Sequence, residues 1–296
     1  MTRPWMTLGG ALVALLIPAC LEPPIEPAEL ARAQVQRSEA TSTLTIATWN
    51  LAWFGDPERG PSDDALQLER VVTILGQLDA DLIALQEVAS PDAFAEVRTR
   101  LPGYGGVLSD HAWPQQLGLL YRSERLRLLE VQSIEGLDDA GRPPLWLRVG
   151  QQRGFEPIEV VVLHAKAGTL EADWRARNRL AGGLHDALAG RSDAAGRSII
   201  LGDFNDQLGA SLVEGFDSPY AALIASWSAP TAVLESSPVD ATSVWGAVLD
   251  HVLVGKDLGD GAASADALGD RLLWSYPDYA ETVSDHFPVV VGMELP

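Results

Sequence analysis

The chain has 296 residues, 47% of them hydrophobic, enough for one large core or two small ones. Its formal net charge of −20 excludes a broad basic surface that tracks a nucleic-acid backbone, because such a surface needs clustered Lys and Arg. A phosphate substrate stays open, since a bound dication can supply local positive charge. One cysteine, Cys20, excludes an internal disulfide.

Arg3 precedes an apolar run from Leu8 to Ile17 that ends in Pro18-Ala19-Cys20, the layout of a secretory signal. Closing on a cysteine, it is similar to a bacterial lipoprotein signal. That implies lipidation of Cys20, a membrane anchor there, and a place in the cell envelope; a simply cleaved signal and an uncleaved anchor are the alternatives. Residues 21–42 are rich in Pro, Glu, Ala and Gln and read as a tether. The expected organisation is a signal over 1–20, a tether over 21–42 and one folded domain over 43–296.

Leu44–Asn50 reads as a strand ending in a polar group. Asp64–Leu78 reads as a helix with Leu68, Val71, Val72 and Leu75 on one face. Asp81–Glu87 is a second strand, closing on Gln86-Glu87, and a short helix follows over Pro91–Arg98. Strands are expected over Leu117–Arg122, Leu126–Ile134, Leu145–Val149 and Pro157–Leu163, the last delivering His164. Ala172–Ala189 is a helix. Ser198–Leu201 is an apolar run that stops at Gly202 and then presents Asp203, Asn205 and Asp206. Asp203 and Asn205, two apart, point the same way in an extended chain. Residues 207–246 are loosely patterned, with short helical stretches. Strands are then expected over Ala247–Val254, Arg271–Trp274 and Phe287–Met293.

Six polar islands thus sit on strand ends or breaks: Asn50, Gln86-Glu87, His164, Asp203 with Asn205, Asp250, and Asp285-His286. Each alone reads as a turn former, a cap or a satisfied core group. Together they are one inventory: carboxylates for a divalent metal, amides for phosphate oxygens, imidazoles for proton transfer.

Thr48-Trp49-Asn50-Leu51, Leu85-Gln86-Glu87-Val88, Leu163-His164, Gly202-Asp203-Phe204-Asn205, Leu249-Asp250 and Ser284-Asp285-His286-Phe287-Pro288-Val289 resemble, in order, the motifs of the endonuclease/exonuclease/phosphatase superfamily. The resemblance implies an α/β four-layer sandwich, two mixed β-sheets packed face to face with helices outside. It implies Mg²⁺ or Mn²⁺ held by Glu87 with Asn50 and Asp285. It also implies His164, Asp203, Asn205, Asp250 and His286 as the catalytic group, with Asp250 orienting His286. Gly141-Arg142-Pro143-Pro144 resembles a phosphate-contacting stretch of the deoxyribonuclease I-like members, which makes Arg142 a candidate contact. Ala52, Trp113 and Gln115 depart from the nuclease pattern, and the inositol-phosphatase signatures are absent. The implied activity is a metal-dependent phosphodiesterase, first of all a nuclease acting on nucleic acid, and a monomer. A phospholipid phosphodiesterase of the sphingomyelinase type, or a phosphatase, is the alternative. The phospholipid reading wants an exposed apolar loop; Trp227, alone between Ser226 and Ser228, is too isolated to count, and Trp53-Phe54 and Trp113 are the candidates.

Overall fold

Two six-stranded sheets organise the computed structural model, which describes residues 43–111, 114–137, 141–152, 156–190, 196–259 and 264–295. The signal, the tether, Cys20 and Trp113 lie outside these residues. In chain order the elements are β1 (Thr43–Phe54), α1 (Asp64–Leu78), β2 (Leu82–Val88), α2 (Pro91–Arg100), β3 (Tyr104–Leu108), β4 (Gln116–Arg122), β5 (Leu126–Ser133), β6 (Leu145–Gln151), β7 (Ile158–His164) and α3 (Glu171–Ala189). There follow β8 (Ser198–Asp203), α4 (Ala221–Ser226), β9 (Trp227–Ser228), β10 (Asp250–Gly255), β11 (Ser264–Ala267), α5 (Gly269–Ser275), α6 (Tyr279–Thr282) and β12 (Val289–Glu294). One sheet runs β11-β12-β1-β2-β4-β3 and the other β5-β6-β7-β8-β10-β9. Both are mixed: β1 pairs with β2, and β7 with β8, in parallel, while the other pairings are antiparallel.

Strand alternation builds the layers. Leu44 and Ile46 of β1, Leu82 and Ala84 of β2, Val160 and Val162 of β7, and Ile199 and Leu201 of β8 meet in one apolar layer between the sheets. The intervening Ala47, Trp49, Ile83 and Leu85 face α1 and α2, and Val161, Leu163 and Ile200 face α3. The result is helix, sheet, sheet, helix, the four-layer sandwich expected from the sequence.

Local chemistry fixes the helices. Asp63 caps α1 by accepting from Leu66 N at 3.0 Å, and Asp79 ends it in the left-handed region at φ 47°. Val71, Ile74, Leu75 and Leu78 form its buried stripe. Ser90 caps α2 ahead of Pro91 in the first helical turn.

Three expectations change. Arg271–Trp274 belongs to α5, not a strand; its three apolar residues, Leu272 to Trp274, fit either period, and only Leu272 is buried. The strand expected from Ala247 begins at Asp250, the residues before it being turned back by hydrogen bonds to Thr242. β3 was not legible, because its Gly105-Gly106 weakens a strand pattern; a Cβ at Gly105 would stand 2.3 Å from the Tyr121 ring, so the glycine leaves room for that ring over the β3–β4 pair.

Candidate active site

The inward alternation that fills the core with aliphatics turns polar at one end of the interlayer. On one sheet the register aligns His164 with Asp203, and Asp203 with Asp250, so β7, β8 and β10 carry a row of three polar side chains at one level. Across from it β1 and β2 align Asn50 with Gln86.

Gly202 makes the row possible. It sits opposite Leu163 at φ +144°, and a Cβ there would lie 2.0 Å from the Leu163 carbonyl oxygen. Only glycine allows β8 this approach to β7 just before Asp203.

Glu87 reaches the site by a different device. Simple alternation from Gln86 would point it at the helices. Its backbone is left-handed at φ 58°, in an irregularity where the β2 pairings with β1 and β4 both shift register. The side chain is thereby turned back, and Asn50 Nδ2 donates to both Glu87 Oε1 (3.2 Å) and Asp203 Oδ2 (2.9 Å). Trp53 N donates to Glu87 Oε2 at 3.1 Å. Asn50 Oδ1 accepts from Ala52 N at 3.0 Å, so the amide as placed presents donors, not its oxygen, to the two carboxylates.

Asn205 also departs from the extended-chain expectation. β8 ends at Asp203, and Asn205 is left-handed at φ 53°, its N–H donating to Asp203 Oδ1 at 2.8 Å. A tight turn, not strand alternation, brings the two together.

His286 enters from the loop before β12. Its Nδ1 lies 2.8 Å from Asp250 Oδ2, and its Nε2 lies 3.8 Å from Asp203 Oδ2. The ring is held from several sides. Ser284 Oγ accepts from His286 N (3.0 Å) and donates to the Asn50 carbonyl (2.7 Å), while Trp49 Nε1 and Tyr279 Oη donate to the His286 carbonyl (3.0 and 2.8 Å). Thr242 Oγ1 donates to Asp250 Oδ2 at 2.7 Å and accepts from Leu249 N and Asp250 N. Thr242 is not singled out from the sequence, and Ser284 enters only as the first residue of the His286 motif, without a role of its own. Asp285 is half-buried, its carbonyl accepts from Val244 N, and its charge acts on both Glu87 and His286.

His164 is buried, with Nε2 3.4 Å from Asp203 Oδ2 and 3.6 Å from Glu87 Oε1. Its Nδ1 has no hydrogen-bond partner among the described residues. Arg142 is packed behind it: Nε and Nη2 donate to the carbonyls of His164 and Ala165 (both 3.1 Å), and Nη1 donates to Gln115 Oε1 (2.7 Å). The guanidinium clamps the chain that follows His164 and is largely committed there. Buried Arg177 continues the clamp, with Nη1 donating to the Lys166 and Gly168 carbonyls (2.8 Å each) and Nη2 2.9 Å from Asp206 Oδ2. Of the aromatics considered for an exposed apolar loop, Phe54 and Trp227 are core residues and Trp53 lies under Arg59.

The electrostatics separate the two imidazoles. Burial, then the charges of Arg142 and His286, hold His164 well below the ordinary histidine range, so it is neutral near pH 7. Burial also opposes the charged form of His286, but Asp250 and then Asp203 outweigh it and lift the ring to about 10. Burial raises the Asp203 carboxyl, helped by Asp250, against the pull of His286 and Asn50. Burial raises Glu87 too, and the charge of Asp285 adds to it.

The oxygen-rich set fits a hard dication. Ligand atoms of Asp203, Asp250 and His286 lie within 4.8 Å of one another, but His286 gives Nδ1 to Asp250 and carries a proton, which makes it a poor ligand. Glu87, Asp203 and Asp285 gather negative charge with no Lys or Arg in ion-pair contact among the described residues. Such a surplus is what Mg²⁺ or Mn²⁺ neutralises.

Two stacked mixed sheets with this set of groups between their ends define a hydrolase acting on phosphate esters. The chain belongs to the Endonuclease/Exonuclease/phosphatase family, whose model matches residues 47–286. Members of this family depend on divalent metals. Solved structures share the fold at low identity. An endonuclease/exonuclease/phosphatase from Bacteroides vulgatus aligns with TM-score 0.64 and 17% identity, covering 86% of this chain and 100% of that one. The human Nocturnin catalytic domain with bound sulfate anion gives 0.62 and 20%, covering 86% and 95%. TDP2 of D. rerio, complexed with single strand DNA product, gives 0.62 and 16%, covering 85% and 98%. No curated protein matches the chain by sequence.

Proposed function

We propose that the protein is a divalent-metal-dependent phosphodiesterase acting on nucleic acid or nucleotide esters. One observation carries the reading: the His164–Asp203–Asp250 row, closed by the 2.8 Å Asp250–His286 contact, faces Asn50 and Glu87 across the sheets. A phosphodiester is anionic and repels hydroxide, so its hydrolysis needs charge neutralisation, a placed water and proton transfer. Glu87 and Asp285, with Asn50 beside them, would hold a dication, which would supply positive charge for the phosphoryl oxygens. Asp203, fixed by Asn50 Nδ2 and Asn205 N, accepts hydrogen bonds from the attacking water. His286, oriented through Nδ1 by Asp250, carries a proton that it can hand on from Nε2. Neutral His164 donates a hydrogen bond to a phosphate oxygen.

That the D. rerio relative is complexed with single strand DNA product supports the nucleic-acid class. The second reading, a phospholipid phosphodiesterase, is favoured by exposed Trp245, Leu273 and Trp274. The place in the cell envelope, through a lipid on Cys20, is proposed from the sequence alone. The test is a panel of single- and double-stranded DNA, RNA, sphingomyelin and bis(p-nitrophenyl) phosphate, each with and without EDTA. EDTA-sensitive cleavage of nucleic acid and of the simple diester is expected. Cleavage of sphingomyelin alone gives the second reading, and no cleavage of any substrate refutes both.

A further inference from the structure

A tight turn places a tryptophan beside the catalytic histidine. Gly246, at φ +82°, donates its N–H to the Ser243 carbonyl at 3.0 Å, and Ser243 Oγ braces Ala247. The turn is pinned to the site loop by Val244 N donating to the Asp285 carbonyl at 2.9 Å and by the Ser243–His286 bridge. Trp245, at its tip, is 66% exposed, yet its ring stands edge-on to the His286 ring with centroids 5.8 Å apart and planes at 85°. An indole this exposed gains little stability from its position. It does offer a flat face next to the reacting group.

A groove of about 330 Å³ is lined by the other residues of this turn, Ser243, Val244 and Gly246; the Trp245 ring is not part of its lining. Ser243 and Val244 form one wall, Val239 and Leu273 another, and Phe287, next in the chain to His286, lies within it. The size suits one ring system and not an extended chain. Exposed Asp270 and Glu281 stand on its rim. They would repel a second phosphate and are poor company for an acyl chain. They would accept hydrogen bonds from the amino and ring N–H groups of a base.

We infer that the exposed face of Trp245 receives the base of the nucleotide flanking the scissile phosphate, and that the acidic groove on the same turn confines the enzyme to short or terminal nucleotide esters. This rests on the phosphodiesterase reading and specifies its substrate. Trp245 is a specificity residue here, acting on the non-reacting part of the substrate.

The full chain, as wild type, Trp245→Ala and Trp245→Phe, is assayed on thymidine 5′-(p-nitrophenyl phosphate) and on methyl p-nitrophenyl phosphate. Stacking of one base sets the expected size: Trp245→Ala lowers kcat/KM on the nucleotide ester by about 5- to 150-fold more than on the methyl ester, mainly through KM. Trp245→Phe recovers much of the difference. Equal losses on both esters, or none, overturn the inference. A linear single strand should be degraded from an end and its covalently closed counterpart spared; equal cutting of both overturns the terminal restriction. Calorimetric binding of adenosine monophosphate and of methyl phosphate gives a readout independent of turnover. A preference for the nucleotide that Trp245→Ala abolishes supports the inference, and absence of that preference in the wild type overturns it. If neither ester is hydrolysed, the phosphodiesterase reading fails, and the calorimetry still decides the base site.

Discussion

The Asp250–His286 couple should act as one unit, and its removal should show it. Lifting His286 from 6.5 to about 10 corresponds to about 5 kcal/mol of added preference for the protonated ring, at about 1.4 kcal/mol per pKa unit. After the opposing effect of burial, Asp250 is the largest contributor and Asp203 the next. Withdrawing the Asp250 charge should therefore cost on the order of 10²-fold in rate where the transition state needs an oriented, charge-stabilised imidazole. His286→Ala, which removes the group outright, should lower kcat by about 10²- to 10⁴-fold. Asp250→Asn keeps an oxygen for Thr242 Oγ1 but withdraws the charge, and should lower kcat by on the order of 10²-fold. The double variant should be no more than a few-fold below His286→Ala, because the carboxylate has no imidazole left to orient. His164→Asn should keep more activity than His286→Ala, since its ring is already neutral and has only a hydrogen bond to lose. The assay is kcat on bis(p-nitrophenyl) phosphate at saturating Mg²⁺ for all four variants, with thermal melts to confirm folding. If the Asp250 and His286 losses multiply, or if His164→Asn is as inactive as His286→Ala, the coupling argument is refuted.

Gly202→Ala should fold poorly or lose activity by more than tenfold, since the added Cβ meets the Leu163 carbonyl oxygen at 2.0 Å and displaces Asp203; wild-type kcat with an unchanged melt would show that β8 can yield there. His251 is buried between Thr231 Oγ1 and the Asp206 carbonyl (3.2 Å each), and burial pushes it down to about 3. The unfolded chain therefore binds a proton that the folded one refuses, and stability falls as pH drops from 6.5 toward 3, by about 2 kcal/mol at pH 5. Urea unfolding of His251→Gln between pH 7 and 5 should lack that part of the slope, and an unchanged slope contradicts it. Cys20 should carry a lipid: fatty-acid labelling of the wild type, lost in Cys20→Ser, checks this, and an unlabelled, freely soluble wild type rules it out.

The sequence was most informative where one strong period governs. The Asp64–Leu78 helix is visible from its apolar stripe, and the strands that build the interlayer are visible from alternating or continuous apolar runs. That His164, Asp203 and Asp250 share a level follows from each sitting where an inward-facing pattern turns polar. What alternation misplaces are the residues on left-handed backbone. Glu87 at φ 58° and Asn205 at φ 53° reach the site through an irregularity and a turn; Asn is enriched at positive φ, but Glu gives no sign of it. β3 was hidden by its glycines, and α5 by a run of three apolar residues too short to carry a period. Trp245 could not be singled out, because its relation to His286 depends on a turn whose anchor, the Asp285 carbonyl, lies 41 positions further along the chain.

The most direct test of metal-dependent phosphoester hydrolysis at this site is one titration. Full-length protein is stripped with EDTA, and its rate on bis(p-nitrophenyl) phosphate is followed as Mg²⁺ or Mn²⁺ is added back, for the wild type and for Glu87→Gln. The wild type should be silent in EDTA and recover with a saturable metal dependence, while Glu87→Gln should need at least tenfold more metal or fail to recover. An unchanged rate in EDTA, or wild-type recovery by Glu87→Gln, would contradict metal-dependent hydrolysis here.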